Sequence, residues 1–254
     1  MTPTLPEVFA LAGIFVLAGA VKGAIGLGLP TVSMGLLSLL MPPGQAAALL
    51  LIPSLITNLW QLMCGPQWRA LCRRLWLMML SIAAGTLVSA GTLSGGGHWA
   101  PLALGICLIL YALLGSSRFD WRAAPAAERW LGPLCGLLTG LVTGATGVFV
   151  IPAVPYLNAL GLARDDLVQA LGLSFTVSTL ALAAGLAWHQ ALPGAALGSS
   201  LLALVPALAG MWLGSIARRH CRPQLFRRLF FIGLFILGVE LAWRSIIPVI
   251  IETA

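Results

Sequence analysis

Two stretches decide how this chain folds: Gly19-Ala20-Val21-Lys22-Gly23-Ala24-Ile25-Gly26-Leu27-Gly28-Leu29-Pro30 and Gly140-Leu141-Val142-Thr143-Gly144-Ala145-Thr146-Gly147-Val148-Phe149-Val150-Ile151-Pro152. Shifted by 121 positions, residues 19–26 and 140–147 agree at five of eight places: Gly19/Gly140, Val21/Val142, Gly23/Gly144, Ala24/Ala145 and Gly26/Gly147. Glycine frees the backbone from helical dihedrals, and a proline such as Pro30 or Pro152 suits the first turn of a new helix. Each stretch therefore reads as a break between two helices, with Pro30 and Pro152 as its hinges. Small residues at this spacing also serve to pack helices closely. The matching placement in two halves favours duplication, which Ala84-Gly85 and Ala209-Gly210 echo further along.

The surroundings of both breaks are apolar. Hydrophobic residues make up 59% of the 254 positions and charged residues 8%, too few to clothe a soluble protein of this size. A lipid-facing surface accounts for that composition. The net charge of +7 does not indicate nucleic acid, because the arginines sit in short loops between long apolar runs, as orientation signals do. Residues 1–21 lack Lys and Arg, so no signal peptide is expected. Glycine, proline and arginine positions divide the chain into ten apolar segments: 6–22, 28–41, 44–64, 70–93, 98–116, 128–143, 148–160, 165–188, 195–217 and 223–247. Six are long enough to span, about 20 residues being needed. The first two, and the sixth and seventh, are shorter and flank the breaks.

Twelve of the thirteen arginines fall at 69–74, 118–129, 164 and 218–228. If each short pair is a hairpin that returns to its starting side, all twelve lie inside, and only Arg244 and the uncharged N-terminus lie outside. One continuous crossing through each pair is also compatible with the arginines, but it moves the bare N-terminus inside. The hairpin arrangement makes the halves inverted relative to each other, the architecture of secondary transporters. The expected fold is thus an all-α polytopic membrane protein of two inverted repeats. Each repeat is a broken-helix hairpin plus three transmembrane helices, eight to ten membrane segments in all. The first repeat is 1–117 (hairpin 6–41; helices 44–64, 70–93, 98–116), followed by a cytoplasmic linker at 118–127. The second is 128–254 (hairpin 128–160; helices 165–188, 195–217, 223–247).

Irregular backbone at membrane depth is tolerated where it is buried or lines a cavity. A helix that restarts there offers unpaired N–H groups and partial positive charge to an anion. Lys22, the sole lysine, directly precedes Gly23. Intramembrane ionisable residues mark functional sites, although a lysine can also snorkel to an interface. Some sixteen helical residues precede it, about 24 Å of rise, so its depth is either midplane or close to the far surface. Its repeat partner is Thr143, with Thr146 nearby. After the first hairpin come Ser54, Thr57, Asn58 and Gln61, and after the second Ser174, Thr176 and Ser178, stripes that either glue helices or bind substrate. The anion site expected from these residues comprises Lys22, backbone N–H groups at Gly23, Gly26, Gly28, Gly144 and Gly147, and the side chains of Thr31, Asn58, Thr143, Thr146, Ser174 and Ser178.

Acids are scarce in the apolar runs: Glu7 and Glu240 lie near segment ends, and Asp120, Glu128, Asp165 and Asp166 lie in proposed inside loops. No buried carboxylate relay is visible. An exporter of anions does not need one, since an inside-negative potential favours expelling each negative charge by about 2.3 kcal/mol per 100 mV. His98, His189 and His220 read as solvated loop residues. Cys64, Cys72, Cys107, Cys135 and Cys221 are odd in number, show no metal spacing, and do not pair under the repeat, which argues against a membrane thiol–disulfide electron carrier. An intramembrane protease would need a His or Asp in the core to activate a serine, and none is there. No cofactor, metal or nucleic-acid partner is expected; the partners are a small anion and the bilayer.

Through GAVKGAIGLGLP and GLVTGATGVFVIP the chain resembles the TauE/SafE sulfite exporter family, also called the toluene-sulfonate uptake permease group. The resemblance implies a non-enzymatic carrier in the bacterial cytoplasmic membrane; the arginine placement puts its N-terminus outside. It would move sulfite, a sulfonate or a related sulfur oxyanion, often outward. The second break, GATGVF, has fewer glycines than the family's fuller runs.

Overall fold

The computed structural model describes residues 5–95, 99–116, 122–192, 194–220 and 223–253. His98, Asp120, Cys221 and residues 118–121 of the expected linker lie outside them. Every regular element among the described residues is a helix: α1 Leu5–Ile25, α2 Leu29–Leu37, α3 Pro43–Met63, α4 Trp68–Ser94, α5 Trp99–Ser116, α6 Pro125–Thr146, α7 Ala153–Ala159, α8 Arg164–Trp188, α9 Gly194–His220 and α10 Pro223–Thr253. In lipid each backbone polar group must be satisfied within its own segment, so long apolar runs have only this outcome as single elements. The outer surface is correspondingly greasy, with Val88 79% and Leu202 76% exposed. The protein is a polytopic α-helical membrane protein: seven described helices (α1, α3, α4, α5, α8, α9, α10) are long and apolar enough to cross a bilayer.

Segment lengths differ from expectation around both breaks: α1 and α6 run longer, and α2 and α7 shorter, than the segments read from the sequence. The first segment was read as short because it was ended at its glycines, yet α1 has 21 residues and is among the seven. Gly19 and Gly23 lie inside the helix rather than in the break, and Gly144 likewise lies inside the 22-residue α6. They are small for the sake of the neighbouring helix. A Cβ on Gly19 would lie 2.2 Å from the Ala207 carbonyl oxygen, and one on Gly23 would lie 2.1 Å from that of Met211. On the other side of the molecule, a Cβ on Gly140 would lie 2.2 Å from the Ile82 oxygen and one on Gly144 2.4 Å from the Thr86 oxygen. The reciprocal contacts pair Gly210 with Val16 and Gly85 with Leu137. Each α1/α9 contact thus has an α6/α4 equivalent, offset by 121 residues in α1/α6 and 125 in α4/α9. Small residues let helix backbones approach closely where lipid supplies no hydrophobic drive for association.

Residue order along these contacts shows that α1 and α9 share one sense, as do α4 and α6. In α4 and α8, Ala90 meets Gly185 and Gly91 meets His189, again in the same sense. The α3/α8 pair runs oppositely: Gln61 Nε2 donates to the Val168 carbonyl at 3.0 Å, whereas Asn58, earlier in α3, meets Thr179, later in α8. The α5/α10 pair also runs oppositely, Gly105 facing Gly238 and Ala242 while Gly238 faces Gly105 and Ile109. Only residues 64–67 separate α3 from α4 and 189–193 separate α8 from α9, so the chain reverses at both. It follows that α1 and α3 point the same way and that residues 26–42 bring the chain back between them. The helices of these returns, α2 and α7, have nine and seven residues, about 14 and 10 Å of rise. Arg69, Arg73 and Arg74 of α4, Arg129 of α6 and Arg164 of α8 all lie at the starting ends of co-directional helices, and Arg74 binds Glu128 there at 2.7 Å.

Candidate functional site

The depth of Lys22 follows from the α1/α9 register. Gly19 packs against Ala207, the middle residue of the span Ala196–Arg218. Lys22 lies three residues further on, within about 5 Å of that level along the axis. Its side chain does not snorkel: the residue is 4% exposed. Nζ donates to Thr57 Oγ1 at 3.0 Å and to Asn58 Oδ1. The last turn of α1 also suits a cation, because unsatisfied carbonyls accumulate there.

The partners of Lys22 are arranged as acceptors. Thr57 sends its own hydroxyl hydrogen back to the Pro53 and Ser54 carbonyls at 2.7 and 3.2 Å, leaving its oxygen free to receive the ammonium. Asn58 presents Oδ1 to Lys22 and donates from Nδ2 to Thr179 Oγ1 at 3.5 Å, and Thr179 in turn donates to the Phe175 carbonyl at 2.7 Å. Asn58 and Thr179 stand 121 residues apart, the offset that relates the two breaks, on the antiparallel pair α3/α8. No carboxylate pairs with Lys22 among the described residues; both its partners are neutral. An ammonium has three donors, and two are occupied.

The other expected residues separate into two groups. Thr31, Ser174 and Ser178 are buried with hydroxyls that have no partner among the described residues, as are Ser33 and Ser54. Buried hydroxyls in that condition are uncommon and call for a ligand or water. Thr143 and Thr146 instead spend their hydroxyls on the α6 carbonyls of Thr139 and Val142, each at 2.7 Å. The backbone groups differ from the sequence reading for a physical reason. Gly23 and Gly144 sit within helical ladders, while Gly26 N–H donates to Lys22 O at 2.7 Å and Gly147 N–H to Thr143 O at 2.8 Å. They close the ends of α1 and α6.

The first break is thereby confined to residues 26–28. Gly28 caps α2 at φ 105°, a left-handed conformation costly for residues with a Cβ, and no side chain caps the helix. Pro30 stands in the first turn of α2, as expected, and Thr31 follows it. The second break is longer, from Gly147 to Pro152, and is filled by its own chain. Val148, Phe149 and Val150 are buried, the Phe149 ring 5.9 Å from that of Phe175, and Val148 N–H is taken by Thr146 Oγ1 at 3.2 Å. Pro152 precedes the seven-residue α7. The second break meets α2: Gly147, at φ 71°, lies against the Met34 thioether.

The sequence reading passed over Thr179 and Ser33, and it left Thr57 and Ser54 in a stripe outside the chosen site. The offset of 121 that matched the breaks would have found Thr179 as the counterpart of Asn58. The described cysteines, Cys64, Cys72, Cys107 and Cys135, are free.

No curated protein and no solved structure matches this chain. The profile of the family described as sulfite exporter TauE/SafE matches residues 11–241, which takes in both breaks, all of α2 to α9 and most of α1 and α10. The chain belongs to the sulfite exporter TauE/SafE family, a family of membrane transporters.

Proposed function

We propose that the protein is a secondary transporter that carries a small sulfur oxyanion, sulfite or a sulfonate, outward by alternating access, with Lys22 as the charged ligand. One observation carries this reading: a single ammonium is buried at mid-span on neutral partners only. A cation in low dielectric without a counter-charge is costly, and a bound anion supplies the missing charge. Thr31, Ser33, Ser54, Ser174 and Ser178, buried without partners among the described residues, are the hydroxyl donors for its oxygens, and the N-terminus of α2 faces the break in the same half. Thr143, Thr146 and the glycines then act mainly by shaping the breaks.

The two halves are inverted repeats in this proposal. The equivalent α1/α9 and α6/α4 contacts support it, and so do the antiparallel self-pairs α3/α8 and α5/α10, since a two-fold axis in the membrane plane sets a helix against its own equivalent in the opposite sense. The arginine-bearing ends of α4, α6 and α8 are placed inside a bacterial cytoplasmic membrane and the N-terminus outside. Sulfite flux into or out of proteoliposomes, with voltage imposed in either sense, tests the function. Protein-dependent flux that reverses with voltage is expected; silence towards sulfite and a panel of sulfonates, from folded protein, overturns it.

A further inference from the structure

A second polar cluster lies far from Lys22, where α4 and α6 begin. A cavity of about 320 Å³ is walled by Arg74 and Met78 of α4, Glu128, Arg129 and Pro133 of α6, and Tyr156 of α7. Arg74 grips Glu128 through Nε and Nη2 at 2.7 and 2.8 Å, so these two charges cancel. Arg129 is exposed and forms no ion pair among the described residues, leaving the cavity with one net positive charge. The Tyr156 hydroxyl is held only by a long 3.4 Å bond to the Glu128 carbonyl.

What surrounds the cavity indicates its occupant. Trp76 and Trp130, beside the lining residues, are 57% and 77% exposed, and amphipathic rings so placed sit at headgroup level. At the head of α4 the Arg69 guanidinium lies 5.0 Å over the Trp68 ring. The cavity wall itself is partly apolar, with Leu75, Leu77 and Pro133 beside Met78, and about one turn further along α4 and α6 Leu80 and Leu134 are 61% and 53% exposed. A freely soluble oxyanion has no use for such apolar surroundings, whereas an acyl chain does. The cluster is also not a by-product of the duplication: under the offsets of 125 for α4/α9 and 121 for α1/α6, Arg74 and Arg129 correspond to Ser199 and Val8.

We infer that this cavity binds the headgroup of an anionic phospholipid in the leaflet at the arginine-bearing face. Arg129 and Tyr156 take the phosphodiester, the Arg74–Glu128 pair forms the floor, and one acyl chain lies along Leu80 and Leu134. Basic pockets between membrane helices hold lipid headgroups by this chemistry.

The test is native mass spectrometry of delipidated full-length protein supplied with phosphatidylglycerol or phosphatidylcholine. Phosphatidylglycerol should be retained in preference, Arg129→Gln should lower that retention about fivefold, and Arg244→Gln, at a surface ion pair elsewhere, should leave it unchanged. Tyr156→Phe, which keeps the ring, gives a smaller loss and serves if Arg129→Gln does not fold. Equal retention of the two lipids, no loss in Arg129→Gln or Tyr156→Phe, an equal loss in Arg244→Gln, or displacement of the lipid by millimolar phosphate or sulfite would overturn the inference.

Discussion

The two breaks share a sequence pattern and a packing geometry but differ in what fills them. In the first half the last turn of the helix carries a buried lysine, the gap is three residues long, and Thr57 and Asn58 of α3 accept from that lysine, with Ser54 one turn earlier. In the second half the equivalent positions carry Thr143, Phe175, Ser178 and Thr179, and Phe149 packs into the gap against Phe175. By contrast, Gly19 and Gly140, and likewise Gly23 and Gly144, each lie against a carbonyl of the neighbouring helix at similar close approach. The close helix contacts are thus alike in the two halves, while the side chains around the breaks differ: in the proposed site one half supplies charge, and the other supplies hydroxyls and an apolar wall.

That comparison fails first if packing is not symmetric. Gly19→Leu and Gly140→Leu each drive a side chain into a carbonyl oxygen of a rigid helix, and each should cost at least about 3 kcal/mol or prevent folding. Thermal unfolding in detergent checks this, and a tolerated substitution at either site would break the equivalence. Next in size is Asn58→Asp, which hands Lys22 a carboxylate of its own. The protein should remain folded, while sulfite affinity falls by about 2 kcal/mol, roughly thirtyfold, because the anion meets a neutral pair; calorimetric titration in nanodiscs reads it.

A smaller effect is expected for Thr179→Val. It removes the acceptor for Asn58 Nδ2, a long bond between residues 121 apart, and should weaken binding by about 1 kcal/mol, near fivefold, in the same titration. The smallest belongs to Thr143→Val. Its hydroxyl is already spent on the Thr139 carbonyl, so affinity should change by less than about threefold. A larger loss there would show that the second half contacts the anion directly.

Much of this fold was legible in the sequence because membrane helices are dictated by apolar length and their ends by arginine, proline and glycine. The repeat was legible because close helix crossings tolerate only small residues, so Gly19, Gly23, Gly140 and Gly144 stand out. The same property misled the placement of helix ends. A glycine that lets a neighbouring backbone approach reads like one that breaks a helix, and α1 and α6 run on through theirs to Ile25 and Thr146. Lys22 was legible as a solitary charge. Its partners were less so, because Thr57 and Thr179 look like ordinary helix-facing threonines until α1, α3 and α8 are brought together. Phe149 carries no polar signal at all, and its role as the filling of the second break emerges only from its contact with Phe175.

The measurement that bears most directly on the central claim is sulfite titration of Lys22→Gln beside the unaltered protein, both in nanodiscs and both shown to be folded. Glutamine keeps a donor for Asn58 and removes the charge. The account predicts a loss of about 2–3 kcal/mol, thirtyfold or more, as for a hydrogen-bonded charge. Unchanged affinity in Lys22→Gln would contradict it and would remove the lysine from the binding site.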